Sequence, residues 1–494
     1  MTMFKKILIA NRGEIAVRVL QTCREMGIAT LALYEAQDRD SLHVRLADEC
    51  VLLPSGFLDG AAVVRVAAER GADAIHPGYG FLAEDVAFIR ACQAAGITFI
   101  GPAADTVDAV HNKPAAVLAA QKAGIPVVKI SPAVYEHDDD DALRSVIDLI
   151  GFPLVVKATS AGRGPGSRLV KTQENLAEAI RSAQAEAYAV FGSRRLYFEQ
   201  AVIPAHQVGV QILADQHGHV IHLGEREGSL IYGSRKLIEE APAPCIPLEQ
   251  REKLWETALH IAKLFKIEGA CTVEFLVDNK GHFYFSEVKA RIQTEHPLTE
   301  MLTRVDIVRE QIRIAAGLPL QARQEDAVPR GHAILCRVSA EDPRFRLMPS
   351  PGQLQKVRLP GGKDVRVDTH VYEGFTVSSQ YMPLIAKVTA WGHDRAHAIA
   401  RMQRALNEFT VTGVMNNLPR LQEVLRHDDF IAGCYTTDLL PQIMTMGEKR
   451  PATRDLAAIA AVLYALRNST TTPSEPARLQ AQRGWHRSSR RLPE

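Results

Sequence analysis

Between an apolar run and the next helix-like segment the chain reads Lys289-Ala290-Arg291-Ile292-Gln293-Thr294-Glu295-His296-Pro297. So dense a set of charged and amide groups suits a site where Arg291 and Gln293 hold an anion and Glu295 serves as base. The competing reading is a solvated strand-to-helix loop. His296, just before Pro297, reads as structural. Upstream, Cys271 to Val277 and His282 to Val288 are strand-like runs joined at Asp278-Asn279-Lys280-Gly281, a strong hairpin signal. A two-residue loop sets Glu287 opposite Thr272, so Glu274 and Glu287 become diagonal neighbours on one sheet face, where two carboxylates can hold Mg²⁺ together with substrate phosphates. A three-residue loop spoils that phase unless a bulge restores it, and a carboxylate pair on a strand face is often plain surface. The third feature is the loop Thr159-Ser160-Ala161-Gly162-Arg163-Gly164-Pro165-Gly166-Ser167. It joins two strand-like runs, whereas a P-loop needs GxxxxGK[ST] opening a helix. Its backbone N–H groups can cradle a phosphate or merely turn the chain.

The elements that must position these residues follow from periodicity. Lys5 to Ala10 reads as a buried parallel strand, Gly13 to Met26 has helical spacing at Ile15, Val19, Leu20 and Cys23, and Gly27 closes that helix. A strand at Ala29 to Tyr34 and further alternation through Ala74-Ile75 and Thr98 to Ile100 give the rhythm of a doubly wound α/β domain. Its first loop, Asn11-Arg12-Gly13-Glu14, lacks the GxGxxG pattern and reads as packing or interface rather than dinucleotide binding. The acidic run Asp138 to Asp141 reads as a solvated helix start. Strands follow at Pro153 to Ala158, Arg168 to Val170, Arg195 to Glu199, Gln207 to Ala214 and His219 to Leu223, then an amphipathic helix over Leu248 to Phe265. A further α+β region runs from Gly331 to Leu440, with a helix at Ala396 to Phe409.

With 494 residues the chain holds roughly three domains. Lys+Arg (58) and Asp+Glu (57) nearly cancel, so no global field draws it to nucleic acid or an anionic membrane. Seven scattered cysteines, never spaced CxxC, argue against a disulfide framework or a structural zinc site and for a reducing cytoplasm. The longest apolar run, Leu456 to Leu466, is too short to span a bilayer. The tail from Arg450 carries eight arginines against three acids and a Ser/Thr/Pro segment, Ser469 to Pro476, so disorder is expected there apart from a helix near Asp455 to Leu466.

Several segments resemble the signatures of biotin carboxylase: Lys6-Ile7-Leu8-Ile9-Ala10-Asn11-Arg12-Gly13-Glu14-Ile15-Ala16, Ile75-His76-Pro77-Gly78-Tyr79-Gly80-Phe81-Leu82, Glu239-Glu240-Ala241-Pro242-Ala243-Pro244, the Arg291 to Pro297 segment, Ala340-Glu341-Asp342-Pro343 and Pro349-Ser350-Pro351-Gly352. The resemblance covers Lys5 to Leu440 in order and spacing. It implies an α/β and α+β chain: a Rossmann-like pre-ATP-grasp domain (1–113), an ATP-grasp domain (114–330) with a lid at about 131–203, a C-terminal biotin carboxylase domain (331–441) and a basic tail (442–494). It also implies the reaction, in which ATP with Mg²⁺ or Mn²⁺ activates bicarbonate as carboxyphosphate and CO₂ passes to biotin on a separate carrier. By that resemblance Lys236, Arg291, Gln293 and Thr294 hold bicarbonate, Glu295 deprotonates it, Arg337 stabilises the biotin enolate and Tyr79 lies near the biotin ring. Lys113, Lys157, Gly162, Gly164, Gly166 and Glu199 fall to the nucleotide, and Glu274 and Glu287 to the metal.

The departures cluster in the nucleotide half. Ser160, Ala161 and Arg163 interrupt the family's glycine run, and Pro165 stands where an arginine is usual; only Gly reaches positive φ freely, and Pro supplies no N–H. Lys289 replaces a metal-site Asn, where an ammonium would repel Mg²⁺ or replace its charge. Gln200, Gln207, Ile231 and Ser234 replace nucleotide-contacting Lys, His, Gln and His, and Met382 replaces an Asp near the biotin face. Two readings follow: a working enzyme with altered nucleotide handling, or an impaired relative kept as a scaffold subunit. The intact Lys236, Arg291, Glu295 and Arg337 favour the first. Another ATP-grasp carboxylate-amine ligase does not explain the Arg291 to Pro297 segment. With no Ala-Met-Lys-Met-like motif, the biotin must come from elsewhere, so the implied partners are a biotin carboxyl carrier protein, a second copy of the chain and a carboxyltransferase subunit. The tail near Gly484-Trp485 looks like the junction into the partner-binding domain of longer acyl-CoA carboxylase α subunits.

Overall fold

The computed structural model describes residues 3–131, 134–136, 140–159, 166–233, 235–445 and 459–464. The N-terminal strands β1 (Lys6–Ile9), β2 (Ala29–Tyr34), β3 (Glu49–Leu52), β4 (Ala74–His76) and β5 (Thr98–Phe99) form a parallel sheet in the order β3-β2-β1-β4-β5. Central β1 is almost wholly buried, as its unbroken apolar run requires of a strand covered on both faces. At its carboxyl end, where an open α/β sheet leaves a crevice, Asn11 Nδ2 donates to the carbonyls of Pro77 (2.7 Å) and Tyr79 (2.9 Å). Asn11 is thereby held by the chain's own backbone, while the segment Asn11 to Glu14 borders a cavity beside Tyr79.

Two further sheets carry the chemistry. Three antiparallel strands, β6 (Leu154–Ala158), β7 (Arg168–Val170) and β8 (Leu196–Gln200), lie in the order β7-β6-β8 over their own core of Leu154, Val156, Ile180, Ala183 and Phe198. β6 and β7 form the expected hairpin, with Leu154 opposite Val170. Residues 160–165 of its loop, Gly162 and Gly164 among them, lie outside the described residues, as do Ser234, Asp138, Asp139 and most of the tail. Gly166 has φ 80°, and a Cβ there would stand 3.0 Å from that of Ala158 and 3.2 Å from that of Ala187, so glycine alone fits.

The largest sheet has eight antiparallel strands. β13 (Phe283–Lys289), β12 (Gly269–Asp278), β9 (Ala205–Ala214), β10 (Val220–Tyr232), β11 (Arg235–Ala241) and β14 (His332–Ser339) are followed by Leu384–Gly392 and Val365–Thr369. It runs unbroken from the middle of the chain into the C-terminal region. β10 extends nine residues beyond the expected end at Leu223, because Glu225, Arg226 and Glu227 find their partners inside the protein.

The β12–β13 register also differs from expectation. The loop has three residues: Asp278 N–H donates to His282 O at 2.9 Å, and Gly281 takes φ 83°. Val277 faces Phe283 and Phe275 faces Phe285, but a bulge at Ser286 then shifts the phase, so Glu274 faces Glu287 directly and Thr272 faces Lys289. The carboxylates are therefore cross-strand partners rather than diagonal neighbours.

Residues to Met444 form one compact unit and Thr445 to Glu494 a second; within the latter, 459–464 are helical. Among the described residues no helix is long and apolar enough to cross a membrane.

Candidate active site

Six strands of the large sheet, β9 with Gln207 and β10 with Ile231 among them, and the loop after β13 converge on a cavity of about 310 Å³. β11 contributes Lys236, β12 Glu274, β13 Glu287 and Lys289, β14 Arg337, and the loop Arg291, Gln293, Thr294 and Glu295. Thr294 and Glu295 are presented where the chain turns into the helix His296–Thr303, whose second residue is Pro297. His296 is buried and its Nδ1 lies 2.9 Å from Gln293 O. Burial, with Lys387 and Arg18 nearby, keeps the ring neutral by holding its pKa well below the usual range. It is structural, as its sequence position suggests.

Glu295 is the centre of the charge network. Its Oε1 accepts from Lys236 Nζ at 2.9 Å and its Oε2 from Arg337 Nη2 at 2.9 Å. Glu239 serves the same two cations, 3.2 Å from Lys236 and 2.7 Å from Arg337. Burial pushes the Glu295 carboxyl up, but Lys236, Arg337 and Arg226 outweigh it and hold the group well below the ordinary carboxylate range. Glu239 goes the other way, raised by burial and by the adjacent Glu295. The two shifts run in opposite directions, so of the pair Glu295 is the carboxylate held more firmly in its ionised form. Arg291 is anchored from the N-terminal domain, its Nε donating to Glu84 Oε2 at 2.8 Å.

A residue that sequence reasoning missed holds the wall together. Arg226, 2% exposed, donates to Gln211 Oε1 (2.9 Å), Thr299 Oγ1 (2.7 Å), Thr272 Oγ1 (2.9 Å) and Gln293 Oε1 (2.9 Å). With its carbonyl so engaged, Gln293 turns its amide to Glu274 Oε1 at 2.8 Å and has a second amide proton for an anion. The signal was present in the Glu225-Arg226-Glu227 triplet, three charges in a row within what proved to be a buried strand.

Not every expected residue shares this cavity. Lys157 pairs with Glu199, and both line a larger cavity of about 650 Å³ together with Gln200. Ile231 borders both cavities. Lys113 meets Glu287 from the helix Lys113–Lys122. Tyr79 touches Thr294 but not this cavity, its hydroxyl on Glu14, whose second oxygen is 2.9 Å from the fully buried Lys387 Nζ. It lines a third cavity of about 370 Å³ with Arg12, Tyr381 and Met382.

Glu274 and Glu287 offer the oxygen ligands that a hard divalent cation takes when it arrives with phosphates: they face each other across two strands, on a cavity that lysines also line. Glu287 is held well below its ordinary pKa, since Lys113 and Lys289 overcome the effect of burial.

Three family patterns match in sequence: biotin carboxylase N-terminal domain over residues 3–107, carbamoyl-phosphate synthase L chain ATP binding domain over 112–323, and biotin carboxylase C-terminal domain over 335–442. Biotin carboxylase 1 of Bacillus subtilis is 42% identical over 451 residues, 90% of this chain and 100% of its own length. Biotin carboxylase of Haemophilus influenzae is likewise 42% identical over 451 residues, 90% of this chain and 100% of its own. Among solved structures, the biotin carboxylase domain dimer of Hydrogenobacter thermophilus 2-oxoglutarate carboxylase, in complex with MgADP, ADP and bicarbonate, superposes with a TM-score of 0.87 at 39% identity, covering 90% of this chain and 98% of that one. Sequence, fold and the residues gathered round Glu295 agree, and the chain belongs to the biotin carboxylase family.

Proposed function

We propose that the chain carries out ATP-dependent carboxylation of biotin, with bicarbonate as the carbon source and carboxyphosphate as the activated intermediate. The observation that carries this reading is Glu295, ionised and clamped between Lys236 and Arg337 in a cavity that also holds Arg291 and Gln293. A base fixed among cations can take the bicarbonate proton while those cations hold the resulting dianion in a water-poor pocket. Lys236 and Arg291 bind and orient bicarbonate, with Gln293 and the backbone of Thr294. Arg337, two-sided between Glu239 and Glu295, then faces the negative charge that develops on the biotin ureido oxygen. Lys113 and Lys157 are assigned to the nucleotide phosphates, and by the family resemblance Gly162, Gly164, Gly166 and Glu199 are assigned to the nucleotide as well. Glu274 and Glu287 would hold the magnesium ion that accompanies ATP, which when bound polarises phosphoryl oxygens as a Lewis acid.

Biotin would reach the site on a carrier protein and deliver its carboxyl group to a carboxyltransferase on another polypeptide. A second copy of the chain is the further expected partner, supported by the related dimer. The alternative, an impaired scaffold subunit, is supported by the apolar Ile231 between the two cavities and by the ammonium of Lys289 on Glu287. Phosphate release from MgATP by the purified chain, with and without bicarbonate and free biotin, separates the two. Turnover stimulated by both supports the carboxylase. No turnover, with no calorimetric ATP binding by folded protein, supports the scaffold.

A further inference from the structure

We propose that Lys289 is a built-in cation at the phosphate end of the site and takes over part of the neutralisation that a divalent ion would otherwise supply. This rests on the reading above in that the ligand is a nucleoside triphosphate. Lys289 Nζ donates to Glu287 Oε2 at 2.9 Å, and Lys113 Nζ pairs with the same oxygen. Across the strands Glu274 accepts from Gln207 Nε2 at 3.0 Å and from Gln293 Nε2 at 2.8 Å. The two carboxylates contribute −2 and the two lysines +2, so this group has zero net charge before any metal arrives. Lys236, 3.5 Å from Glu274, adds further positive field.

A hard cation binds such a set weakly. Its hydration must be replaced by carboxylate oxygens, yet two ammoniums already occupy the field of one of them and repel the ion. A triphosphate reverses the balance. Its oxygens bring the missing negative charge, and an ammonium that shares one carboxylate oxygen with a second ammonium gives up little in turning to a phosphate. Lys289 lines the cavity and is placed to do so. Two consequences follow: the chain holds no divalent ion on Glu274 and Glu287 without nucleotide, and its nucleotide affinity depends only weakly on metal.

The test compares the full chain with Lys289→Asn and with the charge-preserving Lys289→Arg, each checked for folding by circular dichroism. Mn²⁺ binding without nucleotide is read by electron paramagnetic resonance, and binding of a non-hydrolysable ATP analogue is read by calorimetry in EDTA and in Mg²⁺. The wild type and Lys289→Arg should bind no stoichiometric Mn²⁺ at millimolar concentration, and their affinity for the analogue should change less than threefold on adding Mg²⁺. Lys289→Asn should gain a Mn²⁺ site and a Mg²⁺ dependence of tenfold or more. The assignment is overturned if the wild type binds Mn²⁺ as tightly as Lys289→Asn, or if Mg²⁺ strengthens analogue binding equally in both. If that happens while bicarbonate-stimulated turnover persists, only the Lys289 assignment fails. Absence of both turnover and analogue binding overturns the carboxylase reading with it.

Discussion

The two ends of the central cavity are built on opposite plans. At the bicarbonate end each cation has its own fixed partners: Lys236 and Arg337 meet Glu239 and Glu295, Arg291 meets Glu84, and Arg226 spends four hydrogen bonds on holding the wall. At the phosphate end one carboxylate oxygen serves two ammoniums, and Ile231 offers no polar group where the two cavities meet. Cations held each on separate oxygens keep their geometry with no ligand present, because moving one member strands another in a low-dielectric setting. Two ammoniums on one oxygen differ: although the two carboxylates and two lysines sum to zero charge, one ammonium can turn to what binds there. The bicarbonate end is thus preorganised, and the phosphate end has a cation to spare for its ligand.

The largest test of this contrast is Glu295→Gln. Losing a positioned base typically costs 10²–10⁴-fold, and here Lys236 and Arg337 also lose half their counter-charge, so bicarbonate-dependent ATP cleavage should fall about 10³-fold. ATP-analogue affinity, read by calorimetry, should stay within about threefold, since the change lies at the other end of the cavity. Unchanged turnover would remove Glu295 as the base.

Next in size is Arg226→Met, which strands the carbonyls of Gln211 and Gln293 and two threonine hydroxyls in a buried wall. Denaturant unfolding should show a loss of about 3 kcal/mol, in the range for breaking a buried charged network. Arg226 is a positioning residue, so the KM for bicarbonate should rise through Gln293 while the KM for ATP holds. Equal rises in both would mean that the variant merely loosens the protein.

How this division shows in the sequence depends on the range of the interactions. The parallel sheet, the hairpins and the Arg291 to Pro297 segment were legible because their signals are local: apolar runs, turn residues, adjacent charges. The β12–β13 register was not, since it takes both the three-residue loop and the bulge at Ser286, which has no residue signature, to decide which carboxylates face each other. Arg226 was hidden for a related reason. Its partners lie 15 to 73 residues away in sequence, and a charged triplet reads as loop until the sheet that neutralises it is known. Glu84, which anchors Arg291 from 207 residues away, was invisible on the same ground.

A change of pH probes the contrast from outside. His76 and His370 are buried, and burial, with Arg18 near the first and Arg12 near the second, lowers each to about 3. Both rings titrate near 6.5 when the chain unfolds. Between those values the unfolded chain binds more protons, so their contribution to stability is complete above 6.5 and lost as the pH falls, about 2 kcal/mol for each ring at pH 5. Residues 154–205 contain no histidine. Hydrogen exchange at pH 5, corrected for intrinsic rates and set against pH 7.5, should therefore show β4 and the strand Val365–Thr369 losing protection before β6 and β8. Equal loss in all four strands would refute the assignment.

The smallest expected effect belongs to Ile231→Gln, which puts a donor and an acceptor at the passage between the two cavities, where the family resemblance implies a nucleotide contact. Ile231 is 8% exposed and borders both spaces, so an amide there can reach a bound nucleotide without opening the core. A neutral hydrogen bond contributes about 1 kcal/mol net, which corresponds to a roughly fivefold lower KM for ATP, with kcat and the KM for bicarbonate unchanged. A lower KM would show that the phosphate end lacks contacts that single side chains can restore. An unchanged KM in a variant of unaltered thermal stability would shift the altered nucleotide handling onto Lys289 and its charge, because the two cavities would then already communicate as well as an apolar wall allows.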